Sequence, residues 1–240
     1  MNRTEKLNSS KEKLLIPYIC VGDGGIDVTE KIIYTLEKAG VSAIELGIPF
    51  SDPLADNSVM LLANLRAFGD GFKIKKYFEM VKNVRKKSQM PLICRAYFSS
   101  IIGYGTERFV TDCIDSGIDS LVIPDLPYEE YDELTKYIDN SSLSLIPIIS
   151  TTSQDRIEML VKNADSFIYC DEFKDKKQLE EIIDKIKKYT CLPVCVETNT
   201  AINEINRIAD GCIIKSALVG RIFDSGYSCD EINEFIRELK

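Results

Sequence analysis

Residues 43–49 read Ala-Ile-Glu-Leu-Gly-Ile-Pro, an apolar run broken by one carboxylate, Glu45. A run this short and this apolar predicts a strand covered on both faces, as parallel strands are. Seven more runs of the same kind lie at 14–20, 92–98, 120–125, 145–150, 166–171, 194–198 and 212–216. Helical patterns fall between and after them, at 28–39, 59–68, 74–86, 106–116, 131–139, 153–162, 176–188 and 202–208, with a last one from about 228 to the end. Thr106 and Ser153 stand where helix caps are expected. The pairs Ala39-Gly40, Ser116-Gly117 and Asn163-Ala164 stand where helices should stop. Eight strand–helix units in series, with no Gly/Ser linker, predict an α/β fold: one (β/α)8 TIM-barrel domain over residues 1–240, with a polar N-terminal segment at 1–12. An open doubly wound sheet is the other topology this alternation allows.

Composition narrows the function classes. A net charge of -8 argues against nucleic acid and anionic membranes, because both demand basic patches. No apolar run reaches the roughly 20 residues of a membrane helix. The first ten residues, MNRTEKLNSS, lack the apolar core of a signal peptide, so a cytoplasmic location is expected. Eight cysteines are present without any CxxC pair, and histidine is absent. A Cys/His zinc site is thereby excluded, and a Cys₄ site has no supporting spacing; no metal is expected. Without histidine, acid–base chemistry near neutral pH falls to carboxylate, lysine, tyrosine or cysteine.

A TIM barrel works at the C-terminal ends of its strands. Glu45 is placed there, inside an apolar run, where desolvation should raise its pKa; the plainer alternative is a salt-bridged or outward-facing glutamate. The loop that follows, PFSDPLADNSVM, is dense in proline and aspartate. Asp52 before Pro53 reads as a turn former, and Asp56 reads equally as a cap for the helix at 59–68 or as a second carboxylate at the barrel mouth. Two carboxylates so placed would make an acid–base pair.

ELGIPFSDPLAD, residues 45–56, resembles the signature of the tryptophan synthase α chain family. The similarity continues through ANLRAF (63–68), AYFSSIIGYGTERF (96–109), GIDSLVIPDLPYEE (117–130), TTSQDRI (151–157) and ADGCIIKSALV (209–219), covering the chain from about Tyr18 onward. The resemblance implies retro-aldol cleavage of indole-3-glycerol phosphate to indole and glyceraldehyde 3-phosphate, with Glu45 and Asp56 as the catalytic pair. It implies that Tyr97 and Tyr169 line the indole pocket, although barrel core explains a buried tyrosine as well. Pro49, Asp52, Pro53, Asp125 and Pro127 would face a β subunit in an α₂β₂ heterotetramer, capping being the other reading of Asp125. No cofactor is implied in this chain; any pyridoxal phosphate would belong to the partner.

The chain departs from the family where phosphate is held. Members carry glycines after the seventh and eighth strands (GFGI and GS), whose backbone N–H groups stay open to an anion. Here Glu197-Thr198-Asn199-Thr200 and Lys215-Ser216 stand instead, and only Ser216 is kept. Either Lys215 binds phosphate as a point charge, or Glu197 and Lys215 pair and close the site. A glycine-containing lid after the sixth strand is shortened as well, with Cys170-Asp171-Glu172-Phe173 running directly into the next helix. These departures keep two other functions in view: a weakly active chain that binds and activates a β subunit, and a lyase for a non-phosphorylated indole substrate.

Overall fold

A computed structural model describes residues 2–52, 57–139, 141–171, 175–199 and 202–240. The chain runs β1 (Leu14–Cys20), α1 (Ile26–Lys38), β2 (Ile44–Gly47), α2 (Ser58–Gly69), α3 (Ile74–Arg85), β3 (Leu92–Arg95), α4 (Phe98–Tyr104), α5 (Thr106–Ser116) and β4 (Ser120–Val122). It continues through α6 (Asp132–Ile138), β5 (Ser144–Leu145), β6 (Ile148–Ile149), α7 (Ile157–Val161), β7 (Ile168–Cys170), α8 (Lys176–Lys187), β8 (Val194–Glu197), α9 (Ile202–Ile208), β9 (Gly211–Ile214), α10 (Ser216–Asp224) and α11 (Cys229–Glu238).

The strands pair in parallel in the order β5-β4-β3-β2-β1-β9-β8-β7-β6. The two ends of that order are one stretch of chain. Residues 144–149 bond to β4 through the Ile146 amide (2.9 Å to the Leu121 carbonyl) and to β7 through the Pro147 carbonyl (3.1 Å from the Tyr169 amide). The ring of eight is thus closed through a fifth strand that is split at Pro147, and the open-sheet alternative is overturned.

Alternation along each strand sorts side chains to the two faces. Outward residues such as Leu15, Ile44, Leu92, Leu121, Val194 and Cys212 pack against the helices. Inward residues Leu14, Ile16, Ala43, Ile93, Val122, Ile146, Phe167, Cys195 and Ile213 fill the barrel. Below them, the expected polar segment at 1–12 forms a 3₁₀ turn over Thr4–Ser9 that stoppers the bottom. Leu7 joins the inner core, Asn2 donates to the Asp119 carbonyl (2.5 Å) and Ser144 Oγ (2.6 Å), and Thr4 hydrogen-bonds Ser120 (2.6 Å).

Several local expectations change, among them Ser153, which lies within a 3₁₀ turn over Thr151–Arg156 ahead of α7 rather than capping a helix. The run at 92–98 ends as a strand at Arg95 and turns into α4; the run at 212–216 gives way to α10 at Ser216. Thr106 does not cap α5 but is its first residue, after Gly105. The stop at Ser116-Gly117 occurs as expected, with Gly117 left-handed at φ 91°. No helix among the described residues is long and apolar enough to cross a membrane.

Candidate active site

Two ion pairs sit at the upper end of the barrel interior, and both have the same construction. Glu45 points inward from β2, one step above Ala43. Arg95 points inward from β3, one step above Ile93, which pairs with Glu45 in the parallel register. The guanidinium reaches back across the strands to Glu45, with Nη1 at 3.0 Å from Oε1. On the far side, Glu197 of β8 pairs in register with Ile213, and Lys215, one inward step above Ile213, reaches back to Glu197 at 3.1 Å and 3.3 Å. Tyr169 joins the two pairs: its hydroxyl donates to Glu197 Oε2 at 2.5 Å and accepts from Arg95 Nη1 at 3.3 Å. The result is a continuous chain, Glu45–Arg95–Tyr169–Glu197–Lys215, laid over the apolar core.

Burial governs the electrostatics of this layer. Glu45 is 1% exposed. Desolvation raises its pKa above the ordinary 4.5, while Arg95 and then Lys215 pull the other way without cancelling it. Burial pushes the Arg95 guanidinium down, but Tyr169, Glu45 and Glu197 outweigh it and hold the group firmly charged. The Tyr169 hydroxyl is raised well above 10 by burial and by the Glu197 and Glu45 carboxylates. Gly47, at the top of β2, is required sterically, since a Cβ there would collide with the Tyr18 hydroxyl.

Arg95, Tyr169, Glu197 and Lys215 form the floor of a cavity of about 690 Å³. Its walls mix apolar side chains, among them Ile123, Leu126, Ile148 and Leu160, with polar and charged ones, including Asp125, Asp171, Ser150, Ser153 and Arg156. Arg156 is engaged with Glu129 at 2.6 Å. A concave pocket in which apolar walls meet convergent polar and charged groups suits a small polar organic ligand. Among the described residues no group of three or more His, Cys, Asp or Glu could hold a metal ion.

The other sequence candidates fall as follows. Asp56 and Pro53, like Glu172, Phe173 and Thr200, lie outside the described residues. Tyr97 is half-buried and stacks on Phe50 at 4.3 Å between ring centroids. Asp125 accepts from the Phe98 amide at 2.6 Å and so caps α4, a helix the sequence reading lacks. Pro49 is buried, while Asp52 and Pro127 are exposed. Ser216 opens α10, and Asn199 accepts from the next amide, Ala217 N–H, at 3.2 Å. Of the two outcomes expected for Glu197 and Lys215, the structure has the pair. Arg95 escaped the sequence reading, although the signal that marks Glu45 marks it too: a charge at an inward position of an apolar strand.

The family model described as "Tryptophan synthase alpha chain" matches residues 4–239. The tryptophan synthase alpha chain of Caldanaerobacter subterraneus is 35% identical, over 100% of this chain and 99% of that one. That of Bacillus thuringiensis is 33% identical, over 95% and 93%. Among solved structures, the tryptophan synthase alpha chain of Legionella pneumophila superposes with a TM-score of 0.91 at 27% identity, over 100% and 96%. A chain from Aquifex aeolicus reaches 0.92 at 26%, over 100% and 98%.

Proposed function

The chain belongs to the tryptophan synthase alpha chain family, and on that premise we propose that it cleaves indole-3-glycerol phosphate to indole and glyceraldehyde 3-phosphate in tryptophan biosynthesis. The observation that carries this reading is Glu45: an inward carboxylate of β2 in the uppermost layer of the barrel interior, almost fully buried and raised in pKa. Breaking the bond at indole C3 requires a proton delivered to that carbon and a proton taken from the side-chain hydroxyl. A carboxyl raised towards neutrality serves both steps in turn. Arg95 holds Glu45 in place and keeps its anionic form accessible. Asp56 accepts from the indole N–H and balances the positive charge that develops on the ring. Tyr97 and Tyr169 border the indole, and Lys215 and Ser216 lie towards the phosphate. The chain works in the cytoplasm with a β subunit in an α₂β₂ assembly, contacting it through Pro49, Asp52, Pro53, Asp125 and Pro127.

Indole release from indole-3-glycerol phosphate, with and without a β subunit, is the test. Glu45→Gln is expected to lower the rate by about 10²-fold or more while the chain stays folded. An undiminished rate would remove Glu45 from the reaction. The Arg95–Glu45 contact favours a second reading, since it ties up the acid–base group. In that reading the chain mainly docks on the β subunit and activates it, cleaving slowly itself. Undiminished β activation by the Glu45→Gln chain, alongside a negligible lyase rate in the parent chain, would select it.

A further inference from the structure

Phosphate sites in TIM barrels are commonly built from the loops after the last two strands and the N-terminus of a short added helix. Here that place lies after β8 and β9, at the start of the nine-residue α10. Its cation is Lys215, 7% exposed, on the floor of the 690 Å³ cavity. Both kinds of donor at this place are already engaged by oxygens from the end of β8 and the loop that follows it. The Lys215 ammonium bonds to both oxygens of Glu197, at 3.1 Å and 3.3 Å. The Ala217 N–H, in the first turn of α10, donates to Asn199 Oδ1 at 3.2 Å. A carboxylate and an amide oxygen, two residues apart, thus stand where the oxygens of a bound anion would stand.

We propose that Glu197 and Asn199 are specificity-determining residues that act as a built-in stand-in for an anion, so that a phosphorylated ligand enters only by displacing Glu197 from Lys215. The location of the ligand rests on the lyase reading, but the displacement can be measured without turnover. A phosphate dianion brought to about 4 Å from an undisplaced Glu197 is repelled, and more strongly on this buried floor than in water. Glu197 has a second anchor to retain once displaced, because the Tyr169 hydroxyl holds its Oε2 independently of Lys215. A ligand without phosphate meets neither the repulsion nor the need for displacement. The loop after β8 therefore sets how steeply affinity depends on the phosphate group.

Calorimetric titration of the full chain with glycerol 3-phosphate, inorganic phosphate and glycerol tests this. Glu197→Gln keeps the size of the side chain and one acceptor oxygen, enough for the Tyr169 hydroxyl, but removes its charge. It should tighten both phosphate ligands by roughly tenfold or more and leave glycerol unchanged. Asn199→Gly, on the half-buried loop, should tighten them by about two- to threefold through the freed N–H, and it reads out separately should Glu197→Gln not fold. Adding Lys215→Met to Glu197→Gln should cancel the gain. Phosphate affinity unchanged or weakened in Glu197→Gln, or a gain that survives Lys215→Met, overturns the proposal. Loss of the lyase reading through Glu45→Gln would leave these affinities as they are, so the two ideas fail separately.

Discussion

Cys195 and Glu197 lie on one strand and point the same way, yet the first belongs to an apolar layer and the second to a charged one. The same step separates Ala43 from Glu45, Ile93 from Arg95 and Ile213 from Lys215. Two residues of strand, about 6.6 Å along the chain, take the barrel interior from core to chemistry. The lower layer has every reason to be stable, because its side chains lose only contact with water. The upper layer holds two carboxylates and two cations out of water, and it is tolerable only because each is paired. Stability and reactivity are thus stacked along one axis of the same strands.

The sharpest way to break this contrast is at the lower layer. Phe167 is fully buried in the inner core, and Phe167→Ala should cost about 3–5 kcal/mol in denaturant unfolding. The pH dependence of stability should not change, because nothing ionisable is touched.

Arg95→Met should cost about 3 kcal/mol by stranding Glu45, and it should alter the pH dependence. The folded Glu45 has a pKa above 4.5, so in the window just above 4.5 the folded chain keeps a proton that the unfolded chain releases. Stability therefore falls as pH rises through that window, down to the level reached once Glu45 ionises in the fold. Without Arg95, burial is opposed chiefly by Lys215, and the upper edge of the window moves to higher pH. Thermal melts of the variant should show the loss of Tm that begins above pH 4.5 continuing to higher pH than in the parent chain. Adding Glu45→Leu should recover most of the loss and flatten the profile, since a buried pair replaced whole is often neutral. A double variant as unstable as Arg95→Met alone would mean that the upper layer depends on something other than charge pairing.

The smallest effect belongs to the element that leads away from both layers. Asn57 caps α2 by accepting from the Met60 amide at 3.2 Å, and Asn57→Ala should cost about 1 kcal/mol. That loss should show in chemical denaturation and leave the pH profile as it is.

The two layers were unequally legible in the sequence. Periodicity and punctuation locate apolar strands well, which is why the runs at 14–20 and 194–198 fall within a residue of β1 and β8. They fail where one apolar element flows into another. LICRAYF and CIIKS carry no glycine or proline to mark where β3 yields to α4 or β9 to α10. With α10 unseen, the cap that Asn199 provides had no helix to belong to. Glu45 stood out as a charge in an apolar run; Arg95 carries the same signal inside the run at 92–98, but its part in the site shows only through its contact with Glu45 across the strands. Pairing across strands is set by register, and register is not written in any one segment. The Glu197–Lys215 contact was foreseeable as one of two outcomes only because both groups fall at adjoining strand ends.

The stopper at the bottom of the barrel has a consequence for the order of assembly. Asn2 is fastened to Asp119 and Ser144, partners 117 and 142 residues away along the chain. During synthesis the turn at Thr4–Ser9 emerges well before β4 and β5, and it has nothing to seat against until they have been made. Contacts of such long range carry a high closure entropy and form late. The turn at Thr4–Ser9 is therefore expected among the last parts to lock, and an amide-exchange time course on refolding chains should find Thr4 protected after the strands it closes.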